Sequence, residues 1–347
     1  MVLLAAMLWW AVVPASQLLF AAVKPRGSEL SPGNPIDSDA RVGQTASLGQ
    51  ITAIAAGWNH SLALGQDGTV WAWGGSRVGQ LGDGTTNNSS VAVQVSGLSG
   101  VTAIAAGWNH SLALGQDGTV WAWGSNRVGQ LGDGTTNNSS VPVQVIGMSG
   151  VTALGAGSSH SLALAPDGTV WAWGSNLLGQ LGDGTTADRV VPVQVSGLSG
   201  VTAIAAGSSH SLAQAQDGTV WAWGRALGDQ MNTAEALSTH VPVQVSGLSG
   251  VTAIAAGWNH SLALGPDGTV WAWGSNRVGQ LGDGTTVDSS VPVQVSQLGG
   301  VAAIAAGGEH SLALTQDGTV WAWGSNLLGQ VGDGTTADRG VPVQVGG

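Results

Sequence analysis

The sequence predicts an all-β fold: a β-propeller of six four-stranded blades built from 50-residue repeats, with seven blades as the alternative. Three observations predict it. Near-identical text returns with a strict period of fifty from Ile51, Val101, Val151, Val201, Val251 and Val301, the signature of stacked supersecondary units. Each copy holds four short, alternating, β-rich runs separated by turn signals. And 17 Trp stand against one Phe and no Tyr, twelve of them two residues apart in six copies of TVWAWG.

Residues 1–23, MVLLAAMLWWAVVPASQLLFAAV, carry no charge and read as a secretory signal peptide or a membrane anchor. No basic residue precedes the segment and Lys24 and Arg26 follow it. That order is atypical for a signal peptide, and an uncleaved anchor would favour a cytoplasmic C-terminus; a misassigned start codon accounts for the missing basic residues. Export is the expectation, with cleavage near residues 21–24. The propeller is then secreted or held in the cell envelope, meeting a membrane only through residues 1–23 if they are uncleaved. Residues 24–50 read as a polar linker, too short and too polar for another full blade.

The repeats occupy 51–100, 101–150, 151–200, 201–250, 251–300 and 301–347, and the first two differ at six of fifty positions, which points to recent duplication. In the first, strands are expected over 51–56, 61–64, 69–73 and 91–95. The second and third are joined through Gln66-Asp67-Gly68, a strong hairpin signal, which makes Asp67 and its counterparts turn residues. On the third strand Trp71 and Trp73 share one face, while Val70, Ala72 and Gly74 share the other. Radially stacked sheets, each setting its indoles on the small face of its neighbour, use that asymmetry to build a core. No VPVQV precedes the first unit, and one stands at Val341–Val345. That last run is expected to join the first unit's sheet and close the ring without a free edge.

GWNHSLALGQDG suggests a hydrolase triad of His60, Ser61 and Asp67, but the geometry argues against one. Adjacent strand residues point to opposite faces, and Asp67 lies in a turn at the far end of the strand. His60, His110, His160, His210, His260 and His310 are read as hydrogen-bonded structural residues, since one copy per blade keeps imidazoles too far apart to share a metal. GQLGDGTT lacks the alternating oxygen ligands of a calcium loop, and the absence of Cys excludes disulfides and thiolate metal sites. Neither a metal nor a cofactor is expected.

If strands alternate in direction, the GWNH turns and the long loops after WAWG emerge on one rim, and the hairpins and SGLSG connections on the other. The first rim holds most of the differences among copies, including Trp58/Ser158/Gly308, Asn59/Ser159/Glu309 and Arg77/Leu177/Leu327. Loops on a rigid scaffold carry function, and exposed Trp and Arg anchor interfaces. The expected contacts are therefore Trp58, Asn59, Arg77, Trp108, Asn109, Arg127, Trp258, Asn259, Arg277 and Glu309. The alternative is that the Trp caps the core and the Arg is merely solvated. The fourth unit departs from the pattern, with RALGDQMNTAEALSTH over Arg225–His240. It reads as a neutral replacement, or alternatively as a recognition loop offering Met231, Glu235 and His240.

Residues 1–50 hold three charges of each sign, so the net charge of −11 belongs to the repeats. A nucleic-acid binder shows the opposite balance.

GWNHSLAL, DGTVWAWG, N-x-x-GQLGDGT and VPVQV together resemble the repeats of the regulator-of-chromosome-condensation family across residues 51–347. The resemblance implies a β-propeller, usually of seven blades, that binds proteins with one face. Within that family, a plant photoreceptor pairs a Gly-Trp-Arg-His-Thr motif with arginine salt bridges across a dimer. Here Asn59, Asn109 and Asn259 replace that arginine, so its activity is not expected. Nor is that of the family's nuclear nucleotide exchanger, which works beside DNA, whereas this chain is acidic. The expectation is an exported, non-catalytic module that presents its variable rim to a protein partner. The alternatives are a glycan-binding propeller, a structural spacer, and a lyase or hydrolase with its groups in the central channel.

Overall fold

The computed structural model describes residues 48–225 and 238–346. Residues 1–47, with the apolar segment and most of the linker, and residues 226–237, with Met231 and Glu235, lie outside the described residues, as does residue 347. The described residues form six antiparallel sheets, each taking its four strands from one repeat in sequence order. No helix is present among them. In blade 1 the strands are β1 (Ile51–Ala56), β2 (His60–Gly65), β3 (Val70–Gly74) and β4 (Ser89–Gln94). The architecture is the expected ring of six four-stranded blades.

Local chemistry sets each turn. Asp67 Oδ1 accepts from the Thr69 amide at 3.0 Å and the Thr69 hydroxyl at 2.7 Å, and Gly68 takes φ +77°, a conformation that costs glycine little. These hydrogen bonds, the hydroxyl's first, hold the Asp67 carboxyl below its ordinary range.

The β2–β3 register sets Ser61 opposite Trp73 and Ala63 opposite Trp71, so the two faces of the sheet differ. Ala55, Leu62, Leu64, Val70 and Ala72, with Leu81 and Val95, form the face turned to blade 2, which answers with Ala113, Ile104, Trp121 and Trp123. The indole thus meets alanines, as expected, though leucines fill the space around it. Gly82 completes the fit, since a Cβ there would stand 2.7 Å from Trp123 Nε1. Trp123, Trp173, Trp223, Trp273 and Trp323 are fully buried, and burying about 150–250 Å² each is worth at most about 4–6 kcal/mol apiece.

Polar bonds repeat at the seams between blades. Trp123 Nε1 donates to Gln80 O at 2.9 Å, His60 Nε2 meets Ser111 Oγ at 2.8 Å, and Gly84 N donates to Ser140 O and Trp58 N to Gly107 O. Counterparts recur along the ring as far as blade 6, as in Trp323 to Gln280 O, His260 to Ser311 and Gly284 N to Gly340 O. Among the described residues none of these bonds joins blade 6 to blade 1. Accordingly, the hydrophobic residues packed on the outward face of blade 6 (Ala305, Leu312, Ala322, Val331) among the described residues are Val343 and Val345 of its own blade. Across the seam Trp73 is half-buried, and Ile54 is 43% exposed where Ile304 is 7%.

The run Val341–Val345 does not join the first unit's sheet. The strand Arg339–Gln344 pairs within its own blade, with Gln344 opposite Trp321 and Val343 opposite Ala322. The outer-strand position of blade 1 is already filled by β4 of the same repeat, through Trp71↔Gln94 and Ala72↔Val93.

Candidate binding rim

Backbone bonds bring the variable segments to one end of the ring. Gly57 N donates to His60 O, closing the tight turn that carries Trp58 and Asn59, and Gly75 N donates to Asn59 O, which sets the start of the β3–β4 loop against that turn. The following glycine geometry is obligatory: Gly74 has φ +109°, and a Cβ there would stand 2.4 Å from Asn59 O. Gln80 Nε2 then reaches Asn109 Oδ1 of the next blade at 3.2 Å. At the opposite end the hairpins meet the SGLSG connections, as in Val101 N to Gly68 O and Gln116 N to Gly100 O.

On this rim three tryptophans form one cluster. Trp58 stacks on Trp258, with centroids 4.2 Å apart and planes 23° apart, and meets Trp108 edge-on at 5.1 Å and 63°. The pair belongs to blades 1 and 5, so the stack crosses blade 6. Gly308 makes that possible, since a Cβ there would stand 3.0 Å from the Trp258 ring. On the far side of the mouth, Ser158 Oγ donates to Ser208 Oγ at 3.1 Å. Trp108 is 43% exposed while Trp58 and Trp258 are half-buried, so these rings both pack on one another and face solvent.

On the same rim, Arg77, Arg127 and Arg277 are exposed, as are Leu177 and Leu327 at the equivalent positions. Asn59 and Glu309 are exposed, and Asn109 and Asn259 are half-buried. The loops themselves are held internally. Asn126 Nδ2 donates to Asp133 Oδ1 at 3.0 Å and to Thr135 O at 3.1 Å, and Asn126 Oδ1 accepts from Leu131 N at 2.9 Å. GQLGDGTT is thus a self-bonded loop.

Beneath the rim, each blade's histidine is tied to the next blade's serine. Ser111 Oγ donates to Gln80 O at 2.9 Å, so it must accept from His60 Nε2–H; the Nε2 tautomer follows, and His60 Nδ1 is left without a partner. The same relay links His110–Ser161–Gln130, His160–Ser211–Gln180 and His260–Ser311–Gln280. Burial first, then the neighbouring His110, pushes the His60 pKa down to about 3; burial alone takes His110 down to about 4. The serine was the residue that sequence reasoning missed. Its signal was present, as His-Ser recurs every fifty residues, but the bond runs from one copy to the next rather than within a copy.

The His–Ser pair is not arranged for nucleophilic attack. Its serine spends its proton on a carbonyl, both side chains are buried, and the Asp67 carboxylate is held by Thr69. Two surface concavities of about 370 and 400 Å³ contain one ionisable side chain each, Asp317 and Asp167, and neither lies on the tryptophan rim.

The RCC1-like domain family model matches residues 26–298, and the Regulator of chromosome condensation (RCC1) repeat model matches residues 301–330 and 317–347. Among solved structures, yeast RCC1 (Prp20) bound to Kap60 is similar at 27% identity and TM-score 0.77, over 86% of this chain and 75% of that one. Human WBSCR16 is similar at 27% identity and TM-score 0.77, over 86% and 82%. Prp20p from Saccharomyces cerevisiae, described with its binding properties to Gsp1p and histones, is similar at 28% identity and TM-score 0.76, over 86% and 77%.

Proposed function

We propose, for a chain that belongs to the regulator of chromosome condensation (RCC1) family of β-propellers, the role of a non-catalytic module that binds a protein partner through the rim bearing Trp58, Trp108 and Trp258. The observation that carries this reading is the tryptophan cluster itself. A solvent-facing group of three indoles, on a rim that also exposes three arginines on internally bonded loops, has the composition of an interface hot spot. Similar structures were solved with a protein bound or described with protein binding, which supports a protein as the partner. The mutual packing of the rings also favours a protein over a sugar, because Trp58 and Trp258 each spend one face on the other. Export through residues 1–23 belongs to the same proposal and places the partner in the cell envelope or outside the cell.

The test is affinity capture from envelope extract with the full chain, wild type beside a W58A/W108A/W258A variant and a variant altered on the opposite rim at Gln66 and Gln116. Hot-spot truncations cost about 2–4 kcal/mol each, so the triple variant is expected to lose its captured protein while its melting temperature stays near that of the wild type. The opposite-rim variant is expected to keep it. Unchanged capture by a folded triple variant would refute the reading, and selective binding on a glycan array would replace it with a sugar ligand.

A further inference from the structure

The charges on the tryptophan rim are not distributed at random. Arg189 and Arg339 are consumed by ion pairs with Asp183 and Asp333, whereas Arg77, Arg127 and Arg277 have neither an ion pair nor a side-chain hydrogen bond among the described residues and stand in solvent. The blades that carry these three, 1, 2 and 5, are those that carry Trp58, Trp108 and Trp258. Blades 3 and 6 replace both residues, with Ser158 and Leu177 in one and Gly308 and Leu327 in the other.

Blades 1 and 2 go a step further. The amide at the start of the long loop is capped by a carboxylate in blades 3, 5 and 6, as in Asn176 N to Asp188 Oδ1 at 2.7 Å and Asn276 N to Asp288 Oδ1 at 2.7 Å. In blades 1 and 2 a neutral amide makes the same bond, from Asn88 to Ser76 N at 2.9 Å and from Asn138 to Asn126 N at 2.8 Å. The cap is conserved in geometry and stripped of its charge on the two blades where Trp58 touches Trp108.

From these features we infer that the arc formed by Trp58 and Trp108 with Arg77 and Arg127 docks an acidic polypeptide segment that carries an apolar anchor. The inference rests on the reading that this rim binds a protein and specifies the chemistry of the part that docks. Guanidinium groups that no described residue pairs are free to make bidentate bonds to carboxylates, and the indoles on the same rim offer an apolar seat. The rest of the molecule sharpens the selectivity. The opposite rim exposes Asp67, Asp117 and their counterparts with no arginine there among the described residues. On the arc, Arg77 and Arg127 share their loops with Asp83 and Asp133, which are half-buried and already bonded by Thr85 and by Asn126 and Thr135. An acidic partner is therefore opposed more strongly on the hairpin rim than on the arc. The net charge of −11 likewise opposes a polyanion that has no apolar anchor, nucleic acid included.

The experiment is selection of a displayed library of short random peptides on the immobilised full chain, with clones then compared on R77A/R127A and W58A/W108A/W258A variants. The arginines are exposed and, among the described residues, unpaired, so their removal is expected to leave the fold intact, as the melting temperature will report. Clones enriched in Asp or Glu beside an aromatic or leucine residue are expected, binding the double variant about tenfold or more weakly. Basic or neutral clones, equal binding to wild type and R77A/R127A, recovery of no rim-dependent clone, or equally tight binding of an oligothymidylate would each overturn the inference. Clones lost on the tryptophan variant but retained on R77A/R127A would refute the acidic chemistry alone, whereas clones retained on both would also refute the rim as the binding face.

Discussion

Lowering the pH from 7 to 5 is expected to strip this propeller of most of its stability. Six histidines are buried at the blade seams, and burial pushes each below its ordinary value, to about 3 for His60, His160 and His260 and about 4 for His110, His210 and His310. A histidine whose folded pKa is depressed is protonated first in the unfolded chain. Its contribution is therefore fully present above the unfolded value of about 6.5 and is lost as pH falls from there towards the folded value. Each histidine loses about 1.4 kcal/mol per pH unit across that window, so each has lost about 2 kcal/mol at pH 5. Six of them together reach the size of a typical domain's whole stability, about 5–15 kcal/mol. The carboxylates do not confuse the measurement, because those shifted move downward from 3.8 and titrate below the window. Urea midpoints at pH 8, 6.5 and 5 check the expectation: a steep fall below 6.5 supports it, and a flat profile contradicts buried, neutral imidazoles.

Trp123→Ala is expected to cost about 3–5 kcal/mol, and Trp73→Ala less than half of that. The two residues occupy the same position in repeats that differ at six of fifty residues, so composition predicts no difference. Their surroundings differ. Trp123 is fully buried against blade 1, and its indole shares the Gln80 carbonyl with Ser111. Trp73 is half-buried, and among the described residues its indole has no counterpart bond to Gln330. Truncating Trp123 leaves a cavity at a seam made on both sides, whereas truncating Trp73 removes a ring from a face that blade 6 does not cover. Thermal or urea unfolding of the two variants reports the comparison directly. Equal costs would mean that the sixth seam closes like the other five.

Most of this architecture could be read from the sequence because repetition turns weak local signals into strong ones. One Asp-Gly turn is suggestive; six at a period of fifty fix the hairpins, the strand directions and therefore the rim on which Trp58 and Arg77 emerge. The alternation in TVWAWG likewise identified Trp123 and its counterparts as core. What stayed hidden depends on contacts between copies. Nothing in His60 and Ser61 as neighbours says that His60 bonds Ser111 instead. The stack of Trp58 on Trp258 needs the ring, since two residues two hundred positions apart meet only through it, and Gly308 looked like the loss of a tryptophan rather than the space for one. The placement of Val341–Val345 failed for a related reason: the text shows that the first unit lacks a preceding VPVQV, but not that the place beside β3 is already taken by β4 of the same unit.

The tryptophan rim, and not the hairpin rim, is expected to meet the partner. Site-specific photo-crosslinking tests it most directly, with a benzoylphenylalanine placed in turn at Arg77 and Arg127 on the one rim and at Gln66 and Gln116 on the other, all four exposed. With the partner present, adducts are predicted from Arg77 and Arg127 and none above background from Gln66 and Gln116. Adducts from the hairpin positions alone, or with equal yield from both rims, would contradict it.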